Sequence, residues 1–263
     1  MVRKRGRGVN APLPKVIATK GARRASMPAV PNKKVIRMPG FIRLTTATLG
    51  VALALGLPAM VMADGDSISK VNGSIQVDPG QHAGDISTVN GDITLGQGAS
   101  ADDVGTVNGG VTLQQHAQAT RVHTVNGTID LASASRIAGD ARTVNGDIHL
   151  DQDAAVTGQV ISTNGTIKLD AAQVGDGIET VNSDVDIGAN SQVNGGLLVN
   201  KPGGWFHVGM FHRVPHVVIG PHAVVQGTLE FRQPVVLEVS DSAQIGPVKG
   251  ATPVRFSGAA PRD

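Results

Sequence analysis

The residues of this chain that could do chemistry are its aspartates, its histidines and a recurring asparagine. Asp85, Asp92, Asp102, Asp103, Asp147, Asp151, Asp153, Asp184 and Asp186 could in principle bind a hard cation. Calcium loops need oxygen ligands at alternating positions around a Gly. Neither a Gly-Gly-x-Gly-x-Asp nonapeptide nor an Asp-x-Asp-x-Asp-Gly loop occurs, so an acidic surface that keeps the protein soluble is the plainer expectation. His207, His212 and His216 lie close together, but their spacing fits no standard zinc motif and no Asp or Cys accompanies them. The chain has no Cys, which removes thiolate ligands and disulfides. No catalytic set, cofactor motif or metal site is expected.

The asparagines are different because they are periodic. Val-Asn-Gly occurs at Asn72, Asn90, Asn108, Asn126 and Asn145, loosens to Thr-Asn-Gly at Asn164 and Val-Asn-Ser at Asn182, and echoes at Val199-Asn200-Lys201. Successive steps are 18, 18, 18, 19, 19, 18 and 18 residues, the mark of a solenoid. Such a row can be a ligand-binding array or a structural corner. Asn and Gly tolerate left-handed backbone, and stacked coils bring the amides into register, so a hydrogen-bonded ladder is expected from Asn72 to Asn182. In this scheme Val points into the core, Asn forms the ladder and Gly relieves the turn.

The elements that must position this row follow from the same period. Each coil carries a pair of apolar residues two apart: Ile75/Val77, Ile93/Leu95, Val111/Leu113, Ile129/Leu131, Ile148/Leu150, Ile167/Leu169 and Val185/Ile187. Polar residues alternate with them, as in a strand with one face buried. A second apolar site falls at Ala83, Ala101, Ala119, Ile137, Val156, Val174 and Val193, and a third at Ile86, Val104, Val122, Ala141, Val160, Ile178 and Leu197. Three short apolar segments per turn predict an all-β, single-stranded parallel β-helix with three sides and about 18 residues per coil. The extra residue of each longer coil fits a bulge at a corner. A helical alternative fails because nothing recurs at i, i+3, i+4 and i+7 and Gly is too frequent.

The flanks have another composition. Residues 1–63 carry 12 Lys or Arg and no acid, whereas 64–263 carry 11 against 21 acids, so the basic pI belongs to the leader and signals no nucleic-acid partner. Leu44–Leu57 is a 14-residue apolar run, preceded by Arg37 and Arg43 and closed by Val61-Met62-Ala63. That is the order of a secretory signal peptide, and the run is short for a membrane span of about 20 residues. The expected organisation is a basic extension or mis-called start over 1–37, a signal peptide over 38–63, the β-helix over 64–250 and a flexible tail over 251–263. The mature chain is expected to be exported to the periplasm or cell surface, without a transmembrane span.

The repeat is broken once, at Lys201–His216, which holds the one Trp and two of the five Phe. Loops on solenoids commonly carry the binding role, so Trp205, Phe206, His207, Phe211 and His212 are the candidate partner contact. The alternative is that these aromatics cover a side or end of the β-helix and hide unpaired strand edges. The coil pattern resumes in Val217–Phe231.

The iterated VNGxIxL coils over 71–198 resemble the adhesin-type β-helix domains of bacterial exported proteins. IGPHAVVQGTLEF and IGANSQVNGGLLV, within 187–231, resemble coils of the polymer-forming bactofilins. The first resemblance implies an envelope or adhesive role. The second implies self-association and a right-handed coil. Ile219-Gly220-Pro221-His222-Ala223-Val224 is similar to one hexapeptide repeat of left-handed β-helix acyltransferases, which would make His222 a general base. The expected function is a non-enzymatic structural, adhesive or envelope-scaffolding protein, with polysaccharide, another envelope component or a second copy as partner.

Overall fold

A computed structural model describes residues 60–61, 65–202 and 214–261. The expected signal peptide lies almost entirely outside them. The described residues form a parallel β-solenoid with no helix. Its first face stacks eleven parallel strands: Met60–Val61, Ile75–Val77, Ile93–Leu95, Val111–Leu113, Ile129–Leu131, Ile148–Leu150, Thr166–Leu169, Asp184–Ile187, His216–Ile219, Val236–Ser240 and Val254–Phe256. The second face is built from two-residue strands such as Arg136–Ile137 and Ala155–Val156, and the third from longer ones such as Ala141–Asn145 and Gln159–Asn164. Ser100–Asn108 and Gln118–Asn126 run through the bend between the second and third faces and join them into one hydrogen-bonded surface.

Register follows the apolar pattern. Ile129 lies between Val111 and Ile148, and Leu131 between Leu113 and Leu150. A slip by one residue would turn each row outward, so the alternation itself selects the pairing. All three apolar rows expected from the sequence are at most 5% exposed from coil to coil. Aliphatic side chains, with the aromatic Phe231 near one end, fill this narrow interior, which explains how the chain manages with so few aromatics.

Besides the Asn-Gly corner, where Gly73, Gly91, Gly109 and Gly165 have φ between 106° and 157°, a second left-handed corner recurs. It lies between the first and second faces, at Gly80, Gly98, His116, Ala134, Asp153, Ala171, Asn190 and His222, with φ from 48° to 71°. All but Ala171 are the third residue of a turn closed by bonds such as Ala117 N–H to Gln114 O (2.9 Å) and Ser135 N–H to Ala132 O (3.1 Å). Gly and Asn suit that position, but Ala, His and Asp also occupy it because the coils on either side impose the bend.

One segment differs from the expected organisation. Val254–Phe256, placed in a flexible tail, pairs with Glu238–Ser240 as the last strand of the first face. Met60–Val61, within the expected signal peptide, pairs with Gln76 and Val77 at the other end.

Candidate functional site

The recurring corner is best read as four residues, Thr-Val-Asn-Gly, of which the sequence pattern advertised only three. The residue before Val points inward: Thr88, Thr106, Thr124, Thr143, Ser162 and Thr180 are all buried. A buried hydroxyl needs a partner: the first five donate to a carbonyl of the neighbouring coil, whereas Thr180 Oγ1 accepts from the Ser183 N–H. Thr88 Oγ1 donates to Gly73 O at 3.2 Å, Thr106 to Gly91 O at 3.0 Å, Thr124 to Gly109 O at 2.9 Å and Thr143 to Gly127 O at 3.1 Å.

With Thr inward, Val must point outward, because successive side chains of a strand alternate. Val71, Val89, Val107, Val125 and Val144 are 37 to 67% exposed, so the expectation that they fill the core is corrected. β-branched side chains stacked on a solvent face still suit a strand, packing on the same residue of the next coil.

Asn72, Asn90, Asn108, Asn126, Asn145, Asn164 and Asn182 form a continuous chain of amide bonds. Each Nδ2 donates to Oδ1 of the preceding Asn at 3.0, 2.9, 2.9, 3.0, 2.9 and 3.1 Å in order from Asn90. The row lies at the surface rather than in the interior, exposed as far as Asn145 and half-buried at Asn164 and Asn182. Gly follows Asn because the coils touch there. A Cβ on Gly109 would lie 2.1 Å from Gly91 O, on Gly127 1.9 Å from Gly109 O, and on Gly146 2.0 Å from Gly127 O. Close backbone approach excludes a Cβ at these three positions, and Gly73, Gly91, Gly109 and Gly165 hold positive φ besides.

The row ends where the insertion begins. Val199-Asn200 looks like another Val-Asn pair but is displaced by one residue: Val199 pairs with Thr180 and is buried, continuing the Thr row into Phe231. Asn200 therefore leaves the ladder. Its Nδ2 donates to Glu179 Oε1 at 2.6 Å and its Oδ1 accepts from Arg232 Nη1 at 2.8 Å, while Arg232 Nε donates to Glu230 Oε1 at 2.7 Å. Gln233 Nε2 reaches back to the Val181 carbonyl. This polar clamp ties Asn200 to the coil that follows the insertion. Trp205, Phe206, His207, Phe211 and His212 lie outside the described residues. His216, grouped with them by sequence, belongs to a strand of the first face; its Nε2 meets Glu238 Oε2 at 2.5 Å and its N–H donates to Asp184 Oδ1 at 2.9 Å.

Charged side chains gather on the third face around a shallow groove of about 330 Å³ lined by Asp103, Arg121, Val122, His123, Asp140 and Arg142. Arg121 grips Asp103 with two bonds of 2.7 Å, and Arg142 holds Asp140 at 2.7 Å. The Arg121 guanidinium holds the Asp103 carboxyl below its ordinary range; Arg142, with the Gln159 N–H, does so for Asp140. The His123 ring lies over Gly105, where a Cβ would sit 2.3 Å from Nε2. Asp103 and Arg121 are 18 residues apart, so the solenoid step was the signal that could have found this pair. On the first face, His149 Nδ1 lies 3.1 Å from Asp130 Oδ1 and Lys168 Nζ 3.0 Å from Asp170 Oδ2. Burial holds the Asp186 carboxyl above its ordinary range, with Lys168 opposing that shift.

These arrangements are pairs rather than sites with free valence. Among the described residues, no three His, Asp or Glu side chains are grouped to hold a metal, and no helix is long and apolar enough to cross a membrane. His222 stands exposed at a left-handed corner, as His116 does five coils away, and its N–H donates to Ser242 Oγ at 3.2 Å. No family model, curated protein or solved structure matches the chain.

Proposed function

We propose that this protein is a non-enzymatic, exported β-helix with a structural, adhesive or envelope-scaffolding role. What carries this reading is the use made of the repeated residues. Thr, Asn and Gly of each corner all bond to or pack on the neighbouring coil, so the repeat maintains a stiff stack rather than presenting a reacting group. The apolar run Leu44–Leu57 behind Arg37 and Arg43 supports export. The aromatic insertion supplies the contact with a polysaccharide or another envelope component through Trp205 and its neighbours.

Cell fractionation tests export: recovery of the chain in the envelope or exported fraction is expected, and retention in the cytosol overturns it. Pull-down on purified cell-wall or surface polysaccharide, compared between the wild type and Trp205→Ala, tests the adhesive role. Equal capture of both proteins would remove the insertion from it.

A second reading is self-association through coil ends, as in the bactofilins that Ile219–Phe231 resembles. It is favoured by the strand Val254–Phe256, which among the described residues has a neighbour on one side only and exposes Val254 by 58%. Sedimentation of the mature chain distinguishes the two, since a monodisperse monomer at high concentration rules out a filament.

A further inference from the structure

The chain contains seven Asn-Gly dipeptides, at Asn72, Asn90, Asn108, Asn126, Asn145, Asn164 and Asn194. In this dipeptide the unhindered Gly nitrogen can attack the Asn side chain, so the coil geometry decides which of the seven can react. Attack requires the Gly N–H to give up its proton and its hydrogen bond. Five of the seven are held in the stack: Gly73 N–H donates to Asn90 O at 2.8 Å, and Gly91, Gly109, Gly127 and Gly146 donate to Asn108, Asn126, Asn145 and Asn164 O at 3.0 Å each. In these pairs the Asn amide is also tied into the ladder, so neither reacting partner is loose.

Asn194-Gly195 lies off the ladder, at the corner between the second and third faces, and Asn194 is exposed. Among the described residues no acceptor takes the Gly195 N–H. Glycine is nevertheless required at 195, because a Cβ there would lie 2.0 Å from Asp176 O. Two amides also converge on the Asn194 side-chain oxygen: Gln192 Nε2 donates to Oδ1 at 2.7 Å and Gln226 Nε2, from the next coil, at 3.3 Å. Donors at that oxygen polarise the Cγ carbonyl and stabilise the negative charge that builds on it during attack.

We propose that Asn194-Gly195 is a self-modifying site, at which Asn194 converts to aspartate and isoaspartate with help from Gln192 and Gln226. The Gly195 nitrogen, its proton taken by solvent base, bonds to Asn194 Cγ. The Cγ–Nδ2 bond then breaks, and Nδ2 leaves with a proton as ammonia, closing a five-membered succinimide. Water adds to one of its two carbonyls: opening at Cγ gives aspartate, and opening at the main-chain carbonyl gives isoaspartate. The net change is one water consumed, one ammonia released and one negative charge gained. Isoaspartate adds a methylene to the main chain at a corner where Gly195 stacks between Asp176 and Gly227, so ageing would loosen the solenoid there.

Asn164 is the intermediate case. The coil that follows it carries Ser183 in place of Gly, buried and bonded through its N–H to Thr180 Oγ1 and through Oγ to Ser162 Oγ. No carbonyl among the described residues takes the Gly165 N–H, yet the Asn164 amide is gripped from both sides at 2.9 and 3.1 Å.

The test is to age the folded full chain in mildly alkaline buffer and map its peptides by mass spectrometry, with enzymatic methylation to detect isoaspartate. Conversion at Asn194 is expected to run at least about fivefold faster than at Asn90, Asn108, Asn126 or Asn145, the effect of one hydrogen bond that must break. In denaturant the seven are expected to converge, which shows that the fold sets the order. A folded chain in which Asn194 matches or lags the ladder asparagines overturns the proposal. Replacing Gln192 and Gln226 together by Ala is expected to slow Asn194 severalfold. An unchanged rate in that double variant overturns the role given to the glutamines.

Discussion

Asn126 is bonded on both sides through one side chain: its Nδ2 donates to Asn108 Oδ1 at 2.9 Å, and its Oδ1 accepts from Asn145 Nδ2 at 3.0 Å. Each amide thereby polarises the next. The ladder faces solvent, so water replaces a lost partner, and Asn126→Ala is expected to cost about 0.5 to 1.5 kcal/mol rather than the larger penalty of a buried orphan. Asn126→Asp should cost more, because a carboxylate oxygen would then face Asn108 Oδ1. Urea denaturation of the three proteins checks the order.

Gly127→Ala is expected to be far more damaging than its position at the surface suggests. The added Cβ would lie 1.9 Å from the Gly109 carbonyl, which is backbone and cannot swing away. A loss of roughly 3 kcal/mol or more is expected. Gly73→Ala, in the first such corner, meets nothing within 4 Å, and its cost is the backbone strain at φ 106° alone, about 1 to 2 kcal/mol. Equal melting temperatures for the two variants would contradict the close-approach explanation.

Ser135 stands in the interior with a hydroxyl that finds no partner among the described residues. Its counterparts on neighbouring coils, Ala117 and Ala154, are buried alanines. Ser135→Ala should therefore stabilise the protein by about 1 kcal/mol, seen as a raised thermal midpoint.

Asp186 gives a pH signature of opposite sign to most carboxylates. Burial raises its pKa, partly offset by Lys168 and His216 and reinforced by Asp170. A raised carboxyl favours the folded state when protonated, and that contribution is lost as pH rises through the folded value. Asp186→Asn should accordingly be more stable than the wild type at neutral pH, with the gain fading as pH falls through the raised folded value and gone below the ordinary Asp value of about 3.9. Asp103 behaves conversely: Arg121 lowers its pKa, so its contribution is present above the ordinary value and lost as pH falls through the folded one. Chemical denaturation across the acid range separates them.

Much of this architecture is legible before any coordinates exist, because a solenoid's tertiary contacts repeat its sequence period. Ile129 contacts Val111 and Ile148 for the same reason that they share a place in the repeat. The three apolar rows, the parallel strands and the amide ladder all follow from the 18-residue step and the alternation of a strand. That step also contained the Asp103–Arg121 pair, although composition alone read the acids as scattered.

What only the tertiary structure decided is how the main chain turns and where the step fails. Val and Thr both suit a strand, and hydropathy alone favours burying Val. The hydroxyl bond from Thr124 to the Gly109 carbonyl puts Thr inside and leaves Val125 in water. Whether a Gly serves a left-handed turn or a close approach depends on φ and on what lies across the coil boundary, and neither is written in one residue's identity. The slip at Val199-Asn200 was hidden for the same reason: a pattern match counts residues, whereas the stack aligns side chains, and burial of Val199 in the Thr row outweighed the lure of one more Asn in the ladder.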